Sequence, residues 1–341
     1  MKKIDLEAHF YTGEYLQYLR ARKEVPMEAP HRDSMRLWYT TEVWEPHGPE
    51  MDGRLCDLAG DRLKDMDEAG IDMQVLSLST PGCEQFSPTD GAALSRKAND
   101  ELAKAIKRHP DRFIGLAALA PQSPGEAADE LERAVVELGF RGAKVHSHIG
   151  DAYLDDERYQ VILERAEKLG VPIYLHPTVP HPSRLKAYSD DYSFALAGPV
   201  LGFGAETALQ AMRLIYSGVF DEYPDLKIIL GHLGEGLIFW LDRIDFVFKK
   251  LWMDREICPQ INKRPSEYIR NNFIITTSGM FAVPAFLSVF LEMGADRMMF
   301  AADYPYENNE DAVSFMEKVP IADTDREKIY HLNAEKLFKL S

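Results

Sequence analysis

Two hydrophobic periods share this chain. At its start, IDLEAHF (residues 4–10) alternates, which predicts a strand with Leu6, Ala8 and Phe10 on one face and Asp5, Glu7 and His9 on the other. From Leu55 onward, stretches of helical period and short apolar runs take turns. The helical LCDLAGDRLKDMDEAG leads into IDMQVLSLS, LSRKANDELAKAIKRHPD into RFIGLAALA, and PGEAADELERAVVELG into FRGAKVHSH. DERYQVILERAEKLG precedes VPIYLHP, a longer helical region containing AETALQAMRLIYSGVFDEYP precedes LKIILGH, and a helix from about Gly236 precedes NFIITTSG. VPAFLSVFLEMG, RMMFAADYP and closing helices to Leu340 complete the pattern.

Eight apolar strand candidates, each followed by helix, predict the α/β class and within it a closed (β/α)8 TIM barrel, one domain over residues 1–341. An open doubly wound sheet is the alternative; against it, no G-x-G-x-x-G follows the first strand. Residues 11–53 are rich in charge, proline and aromatic side chains and lack sustained periodicity, which predicts a long inserted lid after the first strand, with Trp38, Tyr39 and Trp44 near the mouth.

Composition narrows the function classes. The 341 residues are 45% hydrophobic and 28% charged, the profile of a globular chain able to bury a large core. No apolar run approaches the ~20 residues of a bilayer span, and the first residues lack the pattern of a secretion signal, so a cytoplasmic protein without a membrane partner is expected. A formal net charge of -16 argues against nucleic-acid binding. It also means that an anionic substrate needs local positive charge, from a metal or a placed arginine. The three cysteines, Cys56, Cys83 and Cys258, have no C-x-x-C spacing and read as free thiols.

In a barrel of this type all strand carboxyl ends face one mouth. Strand one ends with Glu7 and His9, strand five with His176 in YLHP, strand six with His232 in ILGH, and strand eight with Asp303 in FAADYP. Metal-type and acid/base residues thus recur at the same end of four strands, which predicts a metal site for zinc or manganese. For each residue alone, a structural hydrogen-bonded role is the alternative. Strand four ends in KVHSH, where Lys144 reads either as a modified metal bridge or as a salt bridge under the mouth, beside His146 and His148. Glu235, in GHLGEG, either orients His232 or starts a helix. No G-x-S-x-G and no strand-end cysteine supports a nucleophilic mechanism.

With these strings placed, the chain resembles the metal-dependent decarboxylase branch of the amidohydrolase superfamily, which includes γ-resorcylate, 2,3-dihydroxybenzoate, 5-carboxyvanillate and aminocarboxymuconate-semialdehyde decarboxylases. The resemblance runs from IDLEAHF through DRLKDMDEAGID, PDRFIGLAALAPQ, YLHP, GFGAETALQAMRLIYSGVFDEYP, ILGHLGEG, TTSG and ADYPYEN to NAEKLFKL. Hydrolytic members start H-x-H, whereas the hydroxybenzoate decarboxylases resemble this chain in carrying Glu first. The resemblance implies one divalent ion per subunit, Mn2+ or Zn2+, bound by Glu7, His176 and Asp303, with His9 as the candidate fourth ligand. It implies a His232–Glu235 dyad beside the substrate, and an Arg243 that reaches a neighbouring subunit's site in a homodimer or homotetramer. The implied reaction is non-oxidative decarboxylation of an ortho-hydroxy aromatic carboxylate, with Asp303 protonating the ring carbon. A metal-dependent hydrolase acting on a lactone or amide would share every ligand, and a catalytically dead barrel would need a damaged site.

Overall fold

Each of the eight apolar stretches forms a strand: Ile4–Phe10, Met73–Leu78, Phe113–Gly115 continued by Ala117–Ala118, Ala143–His146, Ile173–His176, Ile228–Leu230, Phe273–Thr276 and Met298–Met299. The structure, a computed structural model, describes residues 1–189, 193–250 and 260–340; Cys258 lies outside the described residues. Neighbouring strands pair in parallel in chain order. The ring closes where strand eight meets strand one, through Leu6 N–H to Phe300 O (3.0 Å), Asp303 N–H to Glu7 O (2.9 Å) and His9 N–H to Tyr304 O (2.7 Å). This closure decides between the two expected topologies in favour of the barrel.

The first strand departs from strict alternation. Asp5 stands opposite Gln74 but Ala8 stands opposite Leu76, so a bulge adds one residue between them. Its consequence is that Leu6 and Glu7 both serve the barrel interior. Leu6 packs low in the barrel with Val75, Tyr174 and Ile229, while Ala8 and Phe10 join the outer core against the helices. Asp5 is separated from the Glu7–His9 face: it accepts from Gln74 Nε2 (3.1 Å) and the Ala302 N–H (2.9 Å). The sequence expectation for Asp5 is therefore corrected by the bulge.

Two further expectations change. Residues 11–53 hold regular structure despite their lack of periodicity. They hold a helix at Gly13–Ala21, capped by Thr12 Oγ1 on the Tyr15 N–H, then an antiparallel three-stranded sheet of Met27–His31, Ser34–Trp38 and Trp44–Pro46. Prolines at 30 and 46 and half-covered faces hide the period of these short strands. The predicted helix after Leu55 is two helices, Pro49–Cys56 and Gly60–Ala69, because Asp57 accepts from the Ala59 and Arg62 N–H groups and starts the second. Cys56 and Cys83 are free thiols, as expected. Among the described residues no helix is long and apolar enough to cross a membrane.

Candidate functional site

The bulged first strand brings Glu7 and His9 to the carboxyl end of the barrel, where both are fully buried. His176 ends strand five; Asp303 follows strand eight and is tied to strand one through its own N–H. His9 Nε2 lies 2.9 Å from Asp303 Oδ1, and Glu7 Oε1 lies 3.2 Å from His176 Nε2 and 3.8 Å from His9 Nε2. One donor atom from each of Glu7, His9, His176 and Asp303 falls within 4.8 Å of the others. The carboxyl ends of strands one, five and eight, remote from one another in sequence, thus bring these four side chains together.

The backbone at this mouth is held in an uncommon conformation. His232, Glu235 and Asp303 have φ of 48°, 54° and 82°, in the left-handed region that side chains rarely adopt. Such strain persists only where the surroundings enforce it. Here the His232 N–H donates to Ser278 Oγ (3.0 Å), and the Gly234 N–H donates to Gly231 O (2.7 Å). The turn places His232 Nε2 3.5 Å from Asp303 Oδ2 and Nδ1 2.8 Å from Glu235 Oε1, so Glu235 orients the imidazole and does more than start a helix. A Cβ on Gly231 would stand 3.0 Å from the Tyr174 hydroxyl and 3.3 Å from Glu7 Oε2, so the chain can pass this close to the site only without a side chain.

Electrostatics separates the two carboxyls. Burial opposes ionisation of Glu7, yet the charge on His232 and the approach of His176 outweigh it and hold the group at about 2. For Asp303, burial and the charge on Glu7 act together and push it up to about 7. Burial disfavours the charged form of His232, but Glu235 and Glu7 hold it well above its ordinary value. His176 is pushed down to about 3 and His9 is lowered too, in both cases by burial and then by the Lys144 charge, which leaves these rings neutral. Lys144 itself is lowered to about 8, mainly by burial.

The donor set fits a divalent cation. Glu7 Oε2 takes the Tyr174 hydroxyl, but Glu7 Oε1 is buried with no hydrogen-bond partner. An ionised oxygen left so in a dry interior is costly unless a cation faces it. Two neutral imidazoles and two carboxyls suit either manganese or zinc. A second convergent group within residues 11–53, Glu28, His47 and Asp52, differs. There Arg20 donates to Glu28 at 2.8 Å and Asp52 at 2.7 Å, and His47 Nδ1 lies 2.8 Å from Asp52, so a guanidinium already supplies the charge.

Not every expected residue joins the cluster. Lys144 is buried with Nζ 3.4 Å from His9 Nδ1, and among the described residues it forms no ion pair, so the salt-bridge reading is corrected. Arg243 is exposed on the helix Leu241–Phe248, its guanidinium 5.7 Å from the Phe246 ring centre. Of Trp38, Tyr39 and Trp44, expected near the mouth, Tyr39 bonds Thr80 Oγ1 at 2.9 Å, next to the second strand, whereas the two tryptophans pack on each other. Three site residues escaped the sequence reading. Tyr174 shares the face of His176 and could have been found by alternation; Ser278 sits in TTSG; Tyr306, whose ring lies 5.7 Å from that of His9, had no periodic signal.

The amidohydrolase family profile matches residues 4–340. This chain belongs to that family. It is 42% identical over 345 residues to the γ-resorcylate decarboxylase of Rhizobium sp. (strain MTP-10005), covering 99% of this chain and 98% of the relative. The solved 5-carboxyvanillate decarboxylase from Sphingomonas paucimobilis superposes with a TM-score of 0.90 at 34% identity, covering 100% of this chain and 99% of that one. A dihydroxybenzoic acid decarboxylase from Polaromonas sp. JS666, solved with manganese and the inhibitor 2-nitroresorcinol, gives 0.85 at 39% identity, with 99% and 97% covered.

Proposed function

We infer that this chain is a carboxy-lyase that removes CO2, without oxidation, from an aromatic acid carrying a hydroxyl ortho to its carboxylate. The observation that carries the reading is Asp303, a carboxyl placed at the ligand cluster with Oδ1 2.9 Å from His9 Nε2 and Oδ2 3.5 Å from His232 Nε2. Relatives at about this similarity over the full length are named decarboxylases of such acids.

Glu7, His9, His176 and Asp303 would hold one divalent ion per chain, manganese by analogy with the Polaromonas structure or zinc by ligand chemistry. When bound, the ion would supply the positive charge that draws in the ortho-hydroxy carboxylate and stabilises negative charge on its oxygens. Asp303 gives its proton to the ring carbon that bears the carboxylate. The electron pair of the bond to the carboxylate then returns to the ring and CO2 leaves. His232, kept charged by Glu235, faces the carboxylate left on Asp303 and stabilises it until a proton returns. The sheet in residues 11–53 covers the mouth, joined to it through Tyr39 and Thr80.

Arg243 pairs with the substrate carboxylate of an adjacent subunit, in a homodimer or homotetramer. Supporting this, the surface around it exposes Phe239 (80%), Trp240 (57%) and Phe246 (47%), more apolar area than an isolated surface helix needs. A cytoplasmic location completes the reading. The test is a panel of ortho-hydroxybenzoates with CO2 release and metal content measured on one sample. Stoichiometric CO2 with about one ion per chain is expected; hydrolysis of lactones or amides with no CO2 from any acid would overturn the assignment in favour of a hydrolase.

A further inference from the structure

Strands four and five end side by side, His146 in register with His176, their rings 5.3 Å apart at 81°. His176 belongs to the ligand cluster; His146 has no part in it. The His146 Nδ1 lies 3.0 Å from Glu84 Oε1, which also accepts the His146 backbone N–H at 2.9 Å, while Glu84 Oε2 accepts the Cys83 N–H at 2.8 Å. A carboxylate has only lone pairs to offer, so Nδ1 carries the ring proton and the neutral ring keeps a bare lone pair on Nε2. That atom is buried with no hydrogen-bond partner.

The pair is built into the fold. The loop that carries Glu84 turns at Gly82, with φ of 70°, where a Cβ would collide with both Glu84 Oε2 and His146 Nδ1. Tyr15 clamps the same turn through its hydroxyl on Gly82 O at 2.6 Å. A buried acceptor fixed in one tautomer beside a ligand histidine is unfavourable when empty and selective when filled. It fits an O–H or N–H donor, and on an ortho-hydroxy aromatic acid that donor is a further hydroxyl.

We propose that His146 Nε2 accepts a second hydroxyl on the substrate ring, with Glu84 as the positioning residue, so that the chain selects dihydroxylated over monohydroxylated aromatic acids. This deepens the decarboxylase reading and rests on it only in taking an ortho-hydroxy aromatic acid as ligand. The test is binding without turnover. Manganese-loaded protein is titrated with 2-nitroresorcinol and 3-nitrocatechol, whose nitro group stands in for the carboxylate, and with 2-nitrophenol, which lacks the second hydroxyl. In the wild type at least one of the two diols should bind about tenfold tighter than 2-nitrophenol or more. In His146→Phe and in Glu84→Ala, which removes the acceptor that holds the Nδ1 proton, that preference should fall to about threefold or less through weaker diol binding, with 2-nitrophenol unchanged. Equal binding of all three by the wild type overturns the proposal whether or not either variant folds, and so does a preference that survives in both variants. A chain that prefers a diol yet releases no CO2 keeps this inference and loses the decarboxylase reading; equal binding with CO2 release does the reverse.

Discussion

Glu7 and Asp303 are two carboxyls at one mouth whose surroundings pull them in opposite directions. Glu7 is held at about 2 and Asp303 at about 7, a separation that fits the roles proposed for them, ionised ligand and proton donor. Asp303→Asn preserves size and removes the transferable proton. Turnover of the metal-loaded variant should fall by the ~10²–10⁴-fold typical of a lost general acid. Near-normal kcat with full metal content, measured by CO2 release, would refute the role. At this scale the residue types were legible, because Glu7, His176, His232 and Asp303 each close an apolar run. The left-handed backbone of His232, Glu235 and Asp303 was not, since nothing in the order ILGHLGEG states that His232 and Glu235 would be forced to positive φ.

At the scale of elements, residues 11–53 fold as a unit with its own buried charges. Glu45 on its third strand accepts from the Tyr39 hydroxyl at 3.1 Å, and burial pushes it up to about 7. A folded-state value above the ordinary 4.5 means that the native protein binds the proton more tightly than the unfolded chain. The contribution of this group to stability is therefore intact below about pH 4.5 and is lost as pH rises to about 7. Glu45→Gln stays neutral throughout, so its stability relative to the wild type should grow between pH 4.5 and 7 and then level off. The gain is about 3 kcal/mol, from a rise of about 2.5 pH units at about 1.4 kcal/mol per unit. Denaturant melts at pH 5 and pH 8 that show the same difference would contradict this. The sheet in residues 11–53 was illegible in the sequence because its strands are short, two of the three contain or end in proline, and they are only half covered. The barrel strands carry a stronger signal, buried on both faces between helices and interior.

For the whole molecule, the open question is whether one chain makes one complete site. Arg243 points to solvent beside Phe239 and Trp240, outside the cluster that Glu7 and Asp303 form. If it serves a neighbouring subunit, mixing Arg243→Ala chains with His176→Ala chains should restore part of the activity that each has lost, because one hybrid site then carries both intact halves. Stable mixed oligomers without recovered CO2 release would show that the arginine does not act across an interface.

Alternation and helical period are local, set by which face of a strand or helix meets the core, so the chain order by itself determined eight strands, their helices and the residue types at the strand ends. Whether the sheet closes depends on hydrogen bonds between residues about 300 positions apart, such as Asp303 N–H to Glu7 O, and no local pattern encodes them. The bulge that turns Glu7 inward beside Leu6, the His9–Asp303 contact and the pairing of Glu84 with His146 all arise the same way. Pairing register between distant strands decided them, and with it which carboxyl stays charged and which can hold a proton.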